Sequence, residues 1–186
     1  MHPHADTLFQ LARRAIEFGL DNHGQAPTVP LNPLPEPLRQ PAASFVSLHM
    51  DRRLTGCIGS LAAHCPLAVD VAANACAAAF RDPRFAALER GELADTQIEI
   101  SLLSIPQAMV FESEQDLLNQ LRPGRDGLIL RESGRSATFL PVVWSTLPEP
   151  HQFLRELKRK AGLPGEYWSE TVEVLRYHTT LLSEAG

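Results

Sequence analysis

The chain has 186 residues and a net charge of -5, and 44% of its residues are hydrophobic and 21% charged. This length suits one hydrophobic core, so we predict a single domain over residues 1–186. The acidic balance leaves no surplus of positive charge to neutralise a phosphate backbone, which argues against general nucleic-acid binding.

The three cysteines, Cys57, Cys65 and Cys76, are odd in number and form no CxxC pair. The first ten residues carry histidine and aspartate where a signal peptide would have an apolar run. No apolar stretch approaches the roughly 20 residues that are needed to cross a bilayer. We therefore predict a soluble, cytoplasmic protein with reduced thiols and no membrane insertion.

Two patterns describe the start of the chain. Apolar residues at spacings of three and four predict an amphipathic helix over residues 6–20. Six prolines between residues 24 and 41 then predict that residues 23–42 are an extended tether within the same domain. Proline removes a backbone donor, so we expect neither a helix nor a strand to persist there.

A hairpin and an alanine-rich helix follow. Ala43–Met50 alternates as a strand does, a turn follows at residues 51–53, and residues 54–60 return as the partner strand. Residues 67–80 contain seven alanines after Pro66, which predicts a helix that packs closely on its neighbour. Pro83 ends this helix and holds its neighbours in a turn.

The second half of the chain mixes strands with short helices. In order, we predict a strand over residues 96–104, a helix over 113–121, a hairpin of 127–130 with 137–140, a helix over 148–161 and a strand over 172–182. Hairpins dominate these connections. The sequence therefore predicts an α+β fold with a mainly antiparallel sheet flanked by helices.

The most informative short motif is Gly56-Cys57-Ile58-Gly59 in the second hairpin strand. A thiol becomes nucleophilic where positive charge or backbone donors stabilise its thiolate, and flanking glycines leave room for a ligand or for another backbone segment. We take Cys57 as the candidate nucleophile, with Gly56 and Gly59 shaping its surroundings. The alternative is that Cys57 is a small packing residue at a tight bend.

Three further residues are candidate binding groups. Arg84 presents a planar fork of donors and, with Asp82, would position an anionic group of a small ligand. The alternative, which we favour, is that the two form a clamp fixing the turn after the alanine-rich helix. Asn74 lies within that helix and would contact a ligand or, more commonly, bond to neighbouring backbone.

A metal site is not predicted. His49, His64 and Cys65 lie near Cys57 in sequence, but their spacing matches no compact zinc pattern. One of these histidines would serve better as the partner of a cysteine nucleophile, and the sequence does not say which. The phosphate-binding, dinucleotide-binding and common hydrolase motifs are absent from the sequence.

Several segments together resemble the AMMECR domain family. They are Phe45-Val-Ser-Leu, Leu54-Thr-Gly-Cys-Ile-Gly-Ser, Ala78-Ala-Phe-Arg-Asp-Pro-Arg-Phe85, Ile98-Glu-Ile-Ser-Leu-Leu-Ser, Ala137-Thr-Phe-Leu-Pro and Lys160-Ala-Gly-Leu. The resemblance runs in order from the first helix to the last strand. It implies an α+β protein with a larger lobe that holds both termini and a smaller lobe between them.

The resemblance also implies partners. In bacteria and archaea this family is the first component of the AmmeMemoRadiSam set, with a Memo-like protein and a radical SAM enzyme. Two positions depart from the family pattern. Thr55 stands where an arginine is usual, so Arg52 or Arg53 would have to supply a cation, and Val142 stands where a glutamine is usual.

Two functions follow as hypotheses. In the first, the protein is a ligand- or partner-binding accessory component that works with Memo-like and radical SAM proteins. In the second, it is a cysteine-dependent enzyme or carrier that uses Cys57. Neither the cofactor, if there is one, nor the substrate follows from the sequence.

Overall fold

The computed structural model describes residues 2–184, so Met1, Ala185 and Gly186 at the ends of the predicted domain lie outside the described residues. Two four-stranded antiparallel sheets are flanked by helices, which confirms the predicted α+β class. The described residues divide into two compact units, the first formed by residues 2–103 with 180–184 and the second by Ser104–Thr179. No helix within residues 2–184 is long and apolar enough to cross a membrane.

The first unit is built on a sheet with the strand order β2-β1-β3-β8. Its elements are α1 (Ala5–Asp21), α2 (Glu36–Arg39), β1 (Ala43–Met50), β2 (Arg53–Gly59), α3 (Leu67–Phe80), β3 (Gln97–Leu103) and β8 (Thr179–Ser183). Helix α3 contacts α1, β1 and β2, and its alanines permit this close approach. The core lies between these helices and one sheet face, which carries Val46, Leu48, Ile98 and Ile100.

The hairpin of β1 and β2 sets the position of Cys57. Ser47 faces Cys57 across the two strands, and the register shifts between Leu48 and His49. The turn consists of Asp51 and Arg52, both with positive φ (49° and 63°). A two-residue turn with both φ values positive matches the twist of the strands that it joins, although glycine or asparagine is usual there.

The proline-rich segment contains a helical turn, so the expectation that no helix or strand pairing persists over residues 23–42 is wrong. Helix α2 spans Glu36–Arg39, and its Leu38 is fully buried in the core of the first unit. Pro41 also forms an isolated bridge with Pro66. Prolines are tolerated in a first helical turn, because the N–H that proline lacks has no partner within the helix there.

The second unit has a sheet with the order β4-β7-β5-β6. Its elements are β4 (Gln107–Ala108), α4 (Glu114–Gln120), β5 (Gly127–Glu132), β6 (Arg135–Phe139), α5 (Pro150–Lys160) and β7 (Glu173–Tyr177). Ser113 caps α4 by accepting a hydrogen bond from the Asp116 N–H. The Asp116 carboxylate accepts a hydrogen bond from the Glu112 N–H, just before the helix.

The predicted last strand over residues 172–182 is in fact two strands in two different sheets. Strand β7 ends at Tyr177 and β8 begins at Thr179. The break is at His178, whose N–H donates to the Ser104 side chain and whose carbonyl accepts from the Ser104 N–H. Neither proline nor glycine marks the break in the sequence, so residues 172–182 read as one strand.

Candidate functional site at Cys57

Cys57 is held by its backbone on the outer side of β2, which is an edge strand of its sheet. The Cys57 N–H donates to Asp82 Oδ2 at 2.9 Å, and Arg84 Nη2 donates to the Cys57 carbonyl at 3.0 Å. Both outward-facing backbone groups of Cys57 are therefore bonded to the turn after α3. The turn thus supplies the two backbone hydrogen-bond partners that a neighbouring strand would otherwise supply.

Asp82 and Arg84 are themselves a tight pair. Arg84 donates from Nε to Asp82 Oδ1 (2.9 Å) and from Nη2 to Asp82 Oδ2 (2.7 Å), and its backbone N–H donates to Oδ1 (3.1 Å). The guanidinium holds the pKa of Asp82 well below the ordinary value of an aspartate, and this outweighs the effect of burial. The same contact raises the pKa of Arg84. This is the clamp that the sequence favoured, and a role in binding an anion stays a prediction.

The side chain of Cys57 points along the sheet face toward β1. Because its N–H and C=O point outward, Cys57 and Ser47 form a non-hydrogen-bonded pair, in which facing side chains approach most closely. The Ser47 hydroxyl donates to Cys57 Sγ at 3.2 Å. This contact fixes the direction of the thiol side chain across the strand pair.

Ser47 also links Cys57 to the far side of the sheet. It faces Glu99 on β3, and Glu99 Oε1 accepts a hydrogen bond from Ser183 on β8 at 3.2 Å. We call Cys57, Ser47, Glu99 and Ser183 the polar row, because they cross all four strands on the face opposite the helices. Each is at least partly exposed to solvent.

Ser47, Glu99 and Ser183 are not among the candidate residues that the sequence singles out. The signal that could have found them is strand alternation, because Ser47 and Glu99 occupy the polar positions of their strands. The sequence does not show how those strands pair with one another. A row across a sheet becomes visible only when the register is known.

The two glycines of the motif are explained by close packing. A Cβ at Gly56 would lie 2.2 Å from the Ala78 carbonyl oxygen in α3, and a Cβ at Gly59 would lie 2.2 Å from the Phe45 ring. The space beside each glycine is therefore filled by the protein itself. Their contribution to ligand binding stays a prediction.

Asn74 belongs to a buried hydrogen-bond cluster that joins α3 to the start of β1. Its amide nitrogen donates to the Ser44 carbonyl (3.1 Å) and to Asp70 Oδ2 (2.9 Å). Asp70 Oδ2 in turn accepts from the Ser44 N–H and hydroxyl at 2.8 and 2.6 Å. Asn74 is 7% exposed, so these partners occupy the amide, and a contact with a ligand stays a prediction.

The other cysteines and the histidines are arranged differently. Burial raises the pKa of the Cys65 and Cys76 thiols. His49 lies beside the polar row, with Nδ1 3.9 Å from Glu99 Oε2. Within residues 2–184 no hydrogen bond joins Cys57 to a histidine, and no three His, Cys, Asp or Glu side chains are placed to hold a metal ion.

The arginine that contacts Cys57 is Arg84, not Arg52 or Arg53. Arg52 lies in the turn at the other end of the hairpin, and both hairpin arginines are exposed. Thr55, at the position where the resembling family has arginine, donates its hydroxyl to the Leu48 carbonyl at 3.2 Å.

The sequence matches the profile of the AMMECR1 family over residues 9–182. The chain belongs to the AMMECR1 family. This confirms the resemblance seen in the sequence, and the match includes the whole polar row except Ser183.

AMMECR1-like relatives match over nearly the full length of the chain. A protein of Methanothermobacter thermautotrophicus is 33% identical, covering 97% of this chain and 94% of its own. A protein of Thermofilum pendens is 32% identical, covering 95% and 88%. An uncharacterised Pyrococcus horikoshii protein of known crystal structure is 31% identical, covering 96% and 90%, with a TM-score of 0.85.

Proposed function

We propose that this AMMECR1-family protein is a binding accessory component that works with a Memo-like protein and a radical SAM enzyme. The polar row would be its contact surface. The observation that carries the proposal is the clamp of Asp82 and Arg84 on Cys57, since it fixes one end of a partly exposed row of polar side chains.

Rigid, partly exposed hydrogen-bonding groups favour binding because little conformational entropy is lost when a partner docks. Strand positions hold all four side chains of the row, and Glu99 is further oriented by Ser183. Beside the row, the Arg84 side chain is 58% exposed. Its Nη1 makes none of the bonds to Asp82 and Cys57, and it would receive a small anionic ligand or a carboxylate of the partner.

The test is the affinity for purified Memo-like and radical SAM proteins of the same genome, measured by calorimetry. Glu99→Arg reverses a charge within the row and should weaken binding at least about tenfold, since buried like or unpaired charges at interfaces cost several kcal/mol. Glu173→Arg makes the same change on an exposed residue of the second unit. Equal affinities for the native chain and both variants, or no binding to either protein, would count against this function.

A second candidate function is that of a cysteine-dependent enzyme or carrier. The hydrogen bond from Ser47 to Cys57 Sγ favours it, because this contact holds a partly exposed thiol in one direction, where it can meet a ligand. Iodoacetamide should then alkylate Cys57 faster than Cys65, and Ser47→Ala should slow the reaction. A Cys57→Ser variant separates the two functions, since it would abolish thiol chemistry and keep a polar hydrogen-bonding side chain at this position of the row, so that partner affinity is largely retained.

A further inference from the structure

The two edge strands of the first sheet differ in whether their outward backbone groups have hydrogen-bond partners. Strand β2 is one edge, and the clamp of Asp82 and Arg84 occupies the outward backbone groups of Cys57 at its centre. Strand β8 is the other edge, and among the described strands it is paired only with β3. The open edge therefore lies at β8.

Strand β8 lacks two of the features that keep an edge strand from pairing with another chain, charged residues and proline. Its five residues, Thr179 to Ser183, include no charged residue and no proline, and the Leu181 side chain is 57% exposed. Natural edge strands are usually protected by charges, proline or a bulge, because a row of free N–H and C=O groups is a template for another strand.

A cavity of about 770 Å³ lies beside this edge, and residues from both faces of β8 line it. Ala5, Phe9 and Arg13 of α1 line the other side. Glu184 neutralises Arg13 through two hydrogen bonds of 2.7 Å. The surface around the edge is thus open, and the positive charge of Arg13 beside it is balanced by Glu184.

We propose that β8 pairs antiparallel with β8 of a second copy of this chain, around a two-fold axis at Leu181. Leu181 is the central residue of the strand, so this register sets Leu181 opposite itself and Thr179 opposite Ser183. On the face of the polar row, Leu181 then faces itself and the hydroxyl of Thr179 faces that of Ser183, while Thr180 faces Leu182 on the other face. Each pair of different residues occurs twice, as in any isologous interface. The same register sets Glu184 opposite His178 of the second copy, a carboxylate facing an imidazole.

The pairing bears on the candidate site, because the polar row ends at β8. Ser183 belongs to both the row and the proposed interface, and it holds Glu99. In the dimer the two sheets continue as one, and the face that carries the polar row in one copy continues into the same face of the other. The proposal does not depend on what the row binds.

The first test is the mass of the full-length chain by sedimentation equilibrium over a range of concentrations. We expect twice the 20.5 kDa of one chain. Leu181→Lys should shift the mass to that of a monomer and weaken association at least about tenfold, because like charges directly opposite each other destabilise a strand pair. Val142→Lys, at a 70% exposed position of the second unit, should remain a dimer. A monomer at every concentration, or a dimer that Leu181→Lys leaves intact, overturns the proposal.

The second test uses a cross-link at the symmetry axis. Directly opposite residues of an antiparallel pair have Cα atoms about 4.5–5.5 Å apart, within the range that a disulfide spans. Mild oxidation of Leu181→Cys should therefore give a covalent dimer within the time in which Val142→Cys stays largely monomeric. Equal rates of cross-linking in the two variants would contradict the proposed register.

Discussion

The Asp82 carboxylate accepts a hydrogen bond from the Cys57 backbone N–H at 2.9 Å, across 25 residues of sequence. Asp82 is 6% exposed, and it is charge-paired with Arg84, which returns a hydrogen bond to the Cys57 carbonyl. One ion pair thus satisfies a donor and an acceptor of the edge strand. The position of Cys57 therefore depends on residues that bond to its backbone.

Removal of the Asp82 carboxylate should destabilise the protein markedly. Asp82→Ala leaves the Cys57 N–H without its acceptor and Arg84 without its counter-charge, and an unsatisfied buried polar group costs roughly 1–3 kcal/mol. We expect the free energy of unfolding, measured in urea, to fall by about 3 kcal/mol. The exposed Asp95→Ala is the matched control and should change it by less than about 0.5 kcal/mol.

The stabilisation from Asp82 should disappear in acid. Its folded-state pKa lies well below the ordinary 3.8 of an aspartate, because Arg84 donates hydrogen bonds to it. Above that ordinary value the carboxylate is charged in both states and its contribution is complete. As the pH falls below it, the unfolded state takes up a proton first, so stability is lost.

The measurement is the difference in unfolding free energy between the native chain and Asp82→Asn. This difference should be largest at about pH 7 and should shrink by about pH 3. A difference that stayed constant over this range would show that the contribution of Asp82 does not depend on its charge.

Most of the elements could be predicted from the sequence because their patterns are local. Ala43–Met50 was predicted with its observed bounds, and α3 was predicted from its alanines. The errors occurred where tertiary contacts decided the structure. Leu38 is buried in the core and stabilises α2 among prolines, and Ser104 fixes the break at His178.

The candidate site was predictable only in part, for a related reason. The motif around Cys57 and the turn with Asp82 and Arg84 were recognisable as short segments, but their mutual contact joins residues 25 apart. Ser47 and Glu99 required the register of three strands. Sequence patterns specify which face a residue occupies, and only the pairing specifies its neighbours across the sheet.

Gly56 should tolerate no side chain. Gly56→Ala would place its Cβ 2.2 Å from the Ala78 carbonyl oxygen, which is backbone and moves only if β2 or α3 moves. Overpacking of this kind costs roughly 1–3 kcal/mol, so we expect a loss near the upper end in urea unfolding. Gly91→Ala is the control, because nothing lies within 4 Å of its new Cβ. Equal stability of the two variants would mean that the hairpin does not pack closely on α3.

Lys158 in α5 should be replaceable more easily than its partner. Its side chain is 1% exposed, and Nζ lies 2.5 Å from Glu114 Oε1 and 5.4 Å from the centre of the Trp168 ring. Glu114→Gln leaves a buried ammonium without its counter-charge and should lower the unfolding free energy by about 3 kcal/mol. Lys158→Met removes that charge and fills similar space, so its effect should stay within about 1 kcal/mol.

The same urea measurement on Glu156→Gln supplies the comparison for this pair. Glu156 pairs with Arg159 at 2.6 Å, but both side chains are well exposed, so the loss should be below about 0.5 kcal/mol. The expected order of destabilisation is Glu114→Gln first, then Lys158→Met and Glu156→Gln with small effects. If Lys158→Met were the most damaging of the three, the ammonium itself would be required in the core of the second unit, because its contact with Trp168 would outweigh the cost of its burial.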